Sequence, residues 1–223
     1  DVIKIYSNNT PNVTALSIEE MKAIVKEAHR YGVRVTAHAT DNEAAYNAVI
    51  SGVDGIEHGY LMADSTWDLM AKNGVILVPT DGDSLTNLIY AKLSWPDDIS
   101  KQKNSIMVQK FIAARLKHAI KKGVMFAAGS DDYMDLKLPF AEPSIRTLIG
   151  YYESGVAIPE ILKAATINGA KQLNMSGRTG IIKGGYFADI IAVDNDIDKN
   201  IHAVMKIHFV MKDGKVYVND LKN

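Results

Sequence analysis

Cysteine is absent from the chain. Disulfides and thiolate metal sites are therefore excluded, and the redox compartment is left undetermined. Any metal has to be held by imidazole, carboxylate or a modified amine. No apolar run approaches the roughly 20 residues that span a bilayer, so no membrane-spanning helix is expected. Charge of one sign is not in excess either. Lys and Arg total 25 against 26 for Asp and Glu, a formal net charge of −1, which removes the electrostatic reason to expect nucleic acid or an anionic membrane as partner. The opening Asp1-Val2-Ile3-Lys4-Ile5-Tyr6 is not a signal peptide. It reads as a buried strand with no turn or cap before it, so a further segment upstream is expected. Localisation stays open between cytoplasm, periplasm and exterior. With 223 residues, 47% of them hydrophobic, the chain is long enough for a substantial core in one domain or two.

One pattern recurs along the chain: a helical stretch ends, a Gly follows, and a Val opens a short apolar run. It appears at Gly32-Val33, Gly52-Val53, Gly74-Val75 and Gly123-Val124. Gly just past a helix accepts the left-handed conformation that closes it, and a β-branched run then enters the core as a strand. Ser17 and Glu20 form a capping box ahead of Ile18, Met21, Ile24, Val25 and Ala28. The spacing predicts strands near 33–37, 54–57, 75–79 and 124–128. Helices are expected near 42–51, 64–72, 101–122, 142–154 and 159–173, with an irregular segment from Thr80 to Ile99. Alternating strands and helices mean a parallel sheet with right-handed crossovers, in a barrel or in a doubly wound open sheet. Five strands are read up to residue 128, three short of a closed (β/α)8 barrel. After residue 174 Gly punctuates short β-type runs, and Asp213-Gly214 is a hairpin signal. The expected division is a barrel part at 1–174 and a small β element at 175–223.

The chemistry-bearing residues fall at strand ends, where a parallel barrel presents its catalytic groups. Lys4 lies among apolar sequence neighbours, His38 ends Val33 to Ala37, His58 ends the run from Val53 to Glu57, and Asp131 follows Val124 to Ser130. Two imidazoles, a carboxylate and a lysine on separate strands suit zinc or a similar ion. Singly, each has an ordinary structural role, as a hydrogen-bonded histidine, a snorkelling lysine or a capping aspartate. His29, His118, His202 and His208 lack the strand-end placement and read as structural or solvated.

These segments, in order, resemble the amidohydrolase superfamily, in particular its imidazolonepropionase-like and prolidase-like (Xaa-Pro dipeptidase-type) branch. The resemblance is carried by Val2-Ile3-Lys4-Ile5-Tyr6, Ala37-His38-Ala39, Gly52 to Gly59, Gly129-Ser130-Asp131, Ala164 to Ala170 and Gly180 to Asp194. It implies the carboxyl-terminal part of a (β/α)8 barrel, about strands 4 to 8, followed by a small β-sandwich element. It also implies one or two divalent ions, most simply zinc, held by Lys4 as a carboxylated bridging lysine, by His38 and His58, and by Asp131, which doubles as proton acceptor. The expected reaction is cleavage of an amide bond in a dipeptide or N-acyl amino acid, with Tyr6 as a candidate for the substrate carboxylate. The family's His-x-His pair of the first strand does not occur in these residues. The missing amino-terminal barrel half is therefore expected from the same protein or a second chain, and a homo-oligomer is expected. A cyclic-amide (imidazolone-type) hydrolase, a deaminase, or a non-catalytic piece that binds a partner are the alternatives. Lys4 separates the first two from the amide-cleaving reading, since a bridging lysine favours the binuclear amidase branch and mononuclear relatives need none.

Overall fold

Ser17 starts the first helix as its spacing to Glu20 predicts. In the computed structural model, which describes residues 1–9, 13–14, 16–194 and 196–221, the Ser17 hydroxyl accepts from the Glu20 N–H at 3.2 Å. The Glu20 carboxylate accepts from the Ser17 N–H at 2.8 Å. The helix α1 (Ile18–Arg30) then buries Met21 and Val25. The order of elements is β1 (Val2–Tyr6), β2 (Asn8–Asn9), β3 (Val13–Thr14), α1, β4 (Arg34–Ala39), α2 (Asn42–Ile50), β5 (Gly55–His58), α3 (Asp64–Asn73) and β6 (Ile76–Val78). There follow α4 (Ser84–Ser94), α5 (Ile99–Ala113), α6 (Arg115–Lys121), α7 (Glu142–Glu153), α8 (Ile158–Ala165) and α9 (Ile167–Gln172). A carboxyl-terminal group closes the order: β7 (Ile190–Val193), a 3-10 turn at Ile201–Met205, β8 (Ile207–Lys212) and β9 (Lys215–Asn219).

The sheet is parallel with strand order β1-β4-β5-β6. The expected strand near 124–128 lies beside β6, but pairs with it only through a parallel bridge of Leu77 with Phe126. The glycine punctuation holds: Gly32, Gly52, Gly74 and Gly123 have φ of 67°, 92°, 67° and 82°, and Gly74 caps α3 in the left-handed conformation. Register sorts the two faces. Val35, Ala37, Ile56 and Leu77 point outward and are fully buried with Met21, Ala45, Trp67 and Met70 of the helices. On the other face, Lys4 and Tyr6 pair with Thr36 and His38, and His38 pairs with Glu57. That inner face is polar towards the carboxyl ends, with Ile76, Val78 and Ala127 clustering beside it against Met125.

Three expected elements differ. The segment Thr80 to Ile99 is not irregular: α4 forms there because the Asp83 carboxylate accepts from the Thr86 N–H at 2.8 Å and caps it. The single helix expected over 101–122 is two, divided at Ala114, where the Arg115 guanidinium donates to the Ile112 carbonyl at 2.8 Å. The helix expected over 159–173 breaks at Thr166, which has φ −124° and ψ −93° and whose hydroxyl donates to the Leu162 carbonyl at 2.6 Å.

At the carboxyl end, β7, β8 and β9 form an antiparallel sheet, turned by Asp213 and Gly214 at φ 49° and 75°. Residues 195 and 222–223 of the expected carboxyl-terminal element lie outside the described residues. Ile201 and Val204 share the main core with Ile149 and Tyr151 of α7. No helix of the described residues is long and apolar enough to cross a membrane.

Asp189 ties this sheet to the loop before it. Its carboxylate accepts from the Thr179 hydroxyl at 2.9 Å, the Lys212 ammonium at 2.8 Å and the Asp213 N–H at 2.9 Å. These donors, Lys212 foremost, hold its pKa at about 2. A depressed carboxylate adds stability above its unfolded pKa, and loses it as pH falls through the folded one. Asp189→Asn should therefore lower the melting temperature at pH 7, and the difference from wild type should shrink between about pH 4 and pH 2. Thermal melts of both proteins across that range check it; a constant difference would contradict it.

Candidate active site

In a strand, side chains alternate between faces. Because Glu57 faces inward with His38, alternation puts His58 on the outer face. His58 instead adopts φ 68°, and its ring turns back to meet His38, ring centroids 4.5 Å apart. Thr80 and Asp131, just past the next two strand positions, are also left-handed, with φ 61° and 54°. Non-glycine residues in this region cost about 1–3 kcal/mol each and persist where the surroundings over-determine them.

Hydrogen bonds assign the proton positions. The Thr80 hydroxyl donates to the Pro79 carbonyl at 2.7 Å, so its oxygen accepts from His58 Nδ1–H at 2.8 Å. His58 Nε2 is then a lone pair, and accepts from His38 Nδ1 at 2.9 Å. His38 Nε2 is buried with no hydrogen-bond partner. Both rings are held neutral. Burial, the neighbouring His38 and the Lys4 charge push His58 down to about 3, and burial with Lys4 lowers His38.

Neutral imidazole is the metal-ligating form, and the geometry fits an ion. His38 Nδ1 and His58 Nε2 are 2.9 Å apart, close to the roughly 3.3 Å between two nitrogens bound at about 2.0–2.1 Å on a tetrahedral ion. For His38 Nδ1 to ligate, the ring takes its other tautomer, with the proton on Nε2, the buried atom that has no hydrogen-bond partner. The Asp131 carboxylate comes within 3.9 Å of His58 Nε2. Asp132, its neighbour, instead accepts from the Ser144 hydroxyl at 3.1 Å. Among the described residues no three His, Asp or Glu groups converge closely enough to hold an ion without rearrangement.

Tyr6 stacks on His38 with centroids 4.8 Å apart, and the Lys4 ammonium lies 5.8 Å from the Tyr6 ring centre. Lys4 shares the inner face, as its spacing predicts, but it is exposed rather than enclosed by apolar groups, because β1 is an edge strand of the described sheet. His38, His58 and Asp131 open into a cavity of about 640 Å³. His29 and His118 lie elsewhere and pair with Asp54 and Asp64, each at 2.8 Å.

Four further residues shape the site and carry no individual role in the sequence reading, although Thr80 and Asp81 open the segment from Thr80 to Ile99, whose length suits a pocket loop or lid. Thr80 orients His58. Glu57 accepts from the Thr36 hydroxyl at 2.8 Å, and burial raises its pKa against the pull of Lys4. Arg115 and Asp81 form a buried ion pair at 2.9 Å. The Arg115 guanidinium also donates to the carbonyls of His58 and Pro79 and lies 4.7 Å from the Tyr60 ring centre. The one sequence signal for these was their nearness to strand ends; Arg115, on a helix, carried none.

Residues 3–217 match the model of the amidohydrolase family, and the chain belongs to that family. It is 27% identical over 227 residues to ochratoxinase of Aspergillus niger, which covers 94% of this chain and 43% of the relative. It is 29% identical over 184 residues to imidazolonepropionase of Caldanaerobacter subterraneus subsp. tengcongensis, which covers 81% of this chain and 39% of the relative. Among solved structures, a Xaa-Pro dipeptidase with bound methionine in its active site superposes with a TM-score of 0.83 at 27% identity, over 98% of this chain and 55% of the other. The chain thus spans about half the length of the relatives it matches. Its parallel sheet, crossover helices and small antiparallel sheet are the carboxyl-terminal part of the barrel fold those hydrolases share.

Removing one partner from a buried ion pair leaves the other charge uncompensated. Arg115→Met should destabilise the protein by about 3–5 kcal/mol, and Arg115→Lys should recover part of that, since an ammonium keeps the charge but not the fork of donors. Urea unfolding of the three proteins measures this. Equal stability of wild type and Arg115→Met would show that the joint is not needed.

Proposed function

We propose that this chain carries the metal-binding part of a hydrolase that cleaves the amide bond of a small peptide-like substrate, a dipeptide or an N-acyl amino acid. The observation that carries the reading is the convergence of His38 Nδ1 and His58 Nε2 to 2.9 Å at two strand ends, with the Asp131 carboxylate 3.9 Å away, at the wall of a cavity. Similarity to ochratoxinase, and to a solved prolidase complexed with N-methylphosphonate-L-proline (26% identity, TM-score 0.78), supports an amide or peptide bond as target.

His38, His58 and Asp131 would hold divalent metal, zinc in this reading and one or two ions, and Lys4, carboxylated, would supply oxygen ligands to the same centre. Such an ion supplies Lewis acidity, lowering the pKa of a water and polarising the scissile carbonyl. Asp131 takes the proton of the attacking water and returns one to the leaving amine. Thr80 keeps the His58 Nδ1–H in place, so that Nε2 stays a lone pair. Tyr6, on the Lys4 side of His38, offers a hydroxyl to the substrate carboxylate. Lys4 on the inner face favours this reading over the imidazolone-type alternative. The proposal includes a division near residue 174, further strands pairing with the β1 edge from the same protein or a second chain, and a homo-oligomer.

His58→Ala should remove a substantial part of the bound metal, measured by elemental analysis of the purified protein. Unchanged metal content with an intact circular dichroism spectrum would sink the assignment. Asp131→Asn should lower kcat by about 10²- to 10⁴-fold, the worth of a general base, with little change in KM. Loss of activity in Asp132→Asn but not in Asp131→Asn would transfer the role to the neighbour.

A further inference from the structure

The cavity is chemically lopsided. Beyond the His38–His58 pair it runs along α4 and α5, which line it with Tyr90, Val108, Phe111 and Ile112 and with the uncharged polar Thr86, Asn87 and Gln109. Tyr133 and Leu136 line it from the segment after Asp131. Val108 and Phe111 are three residues apart on α5 and so share one helix face. Phe111 is 69% exposed and Tyr133 77% exposed, large apolar surfaces left in water beside a polar reaction centre.

No Lys or Arg lines the cavity among the described residues. Arg115 is adjacent through Tyr60, but its N–H groups are committed. Nε donates to the His58 carbonyl, Nη1 to Asp81 and the Ile112 carbonyl, and Nη2 to the carbonyls of His58 and Pro79. A guanidinium has five such donors, so none is left for a ligand. Asp131 and Asp132 also line the cavity, and would repel a second anion. An anionic substituent on the α4–α5 side would therefore meet only uncharged polar groups and no cation, so its desolvation would not be offset by an ion pair. An apolar one would remove its own surface and that of Phe111 and Tyr133 from water, which is favourable.

Resting on the amide-hydrolase reading, we propose that the α4–α5 side of the cavity is an apolar subsite that selects amides bearing an aromatic or large branched aliphatic group. Tyr90, Phe111 and Tyr133 are its specificity determinants. The substrate's own carboxylate lies on the opposite side, towards Tyr6.

The test is a substrate series on the purified, zinc-loaded protein: N-acetyl derivatives of phenylalanine, leucine, alanine and glutamate, and dipeptides varied the same way at either residue. Wild type should show kcat/KM at least about tenfold higher for the phenylalanine and leucine compounds than for alanine or glutamate. Phe111→Ala and Tyr133→Ala should each cut the phenylalanine-to-alanine ratio by about tenfold, and Phe111→Lys should shift preference towards glutamate. A wild type that favours charged substrates, or variants that lower all substrates in proportion, would overturn the subsite. If no amide is turned over, the hydrolase reading fails, and calorimetry decides the subsite separately. N-acetyl-L-phenylalaninamide should then bind wild type at least about tenfold more tightly than N-acetyl-L-glutamate does, and more tightly than it binds Phe111→Ala. Equal binding in those comparisons overturns it.

Discussion

The Arg115 guanidinium joins the ends of two neighbouring strands. It donates to the carbonyls of His58 and Pro79 while paired with the buried Asp81. Those carbonyls lie where β5 and β6 stop and no further sheet ladder is available to them. A buried main-chain carbonyl without a donor is costly, and the charged fork supplies donors to two at once. Asp81 keeps the cation balanced, although burial pulls its own pKa upward. With the carbonyl of His58 held, its ring is free to turn inward.

That turn is what converts a strand end into a site. His58, Thr80 and Asp131 all take the left-handed conformation, least comfortable for the β-branched Thr80. The strain is offset locally by the hydrogen bond from His58 to Thr80 and by Arg115 beneath. The result is a pair of imidazoles whose lone pairs and N–H groups are set by their neighbours, and whose burial keeps them uncharged. Preorganisation of this kind lowers the cost of binding a cation, because the rings are already oriented and neutral, and only the His38 proton has to move from Nδ1 to Nε2.

Polarity is divided just as sharply across the sheet. The outward face is apolar and covered by helices, while the inward face carries Lys4, Tyr6, Thr36, His38 and Glu57. Beyond it, α4 and α5 turn Tyr90, Val108, Phe111 and Ile112 towards the same cavity, together with the uncharged Thr86, Asn87 and Gln109. In the proposed reading, a cavity with ionisable groups at one side and aromatic groups at the other suits an amphipathic small molecule.

Much of this was legible in the residues. The Ser17–Glu20 capping box, the Gly-Val junctions, the Asp213-Gly214 turn and the strand-end positions of His38, His58 and Asp131 each follow from local chemistry, since caps, turns and alternation depend on residues a few positions apart. Helix breaks at Ala114 and Thr166 were not legible, because a side chain reaching back to a carbonyl competes with a ladder that propensity alone favours. Nor was α4, whose start depends on one aspartate in a polar run. Alternation would even have turned His58 away from His38. Amino-acid sequence alone determined which residues stand at the strand ends and what they can ligate or accept. Tertiary structure alone decided that His58 faces inward and that Thr80 and Arg115 hold it there, because these outcomes depend on backbone conformation and on partners 20 to 57 residues away in the chain.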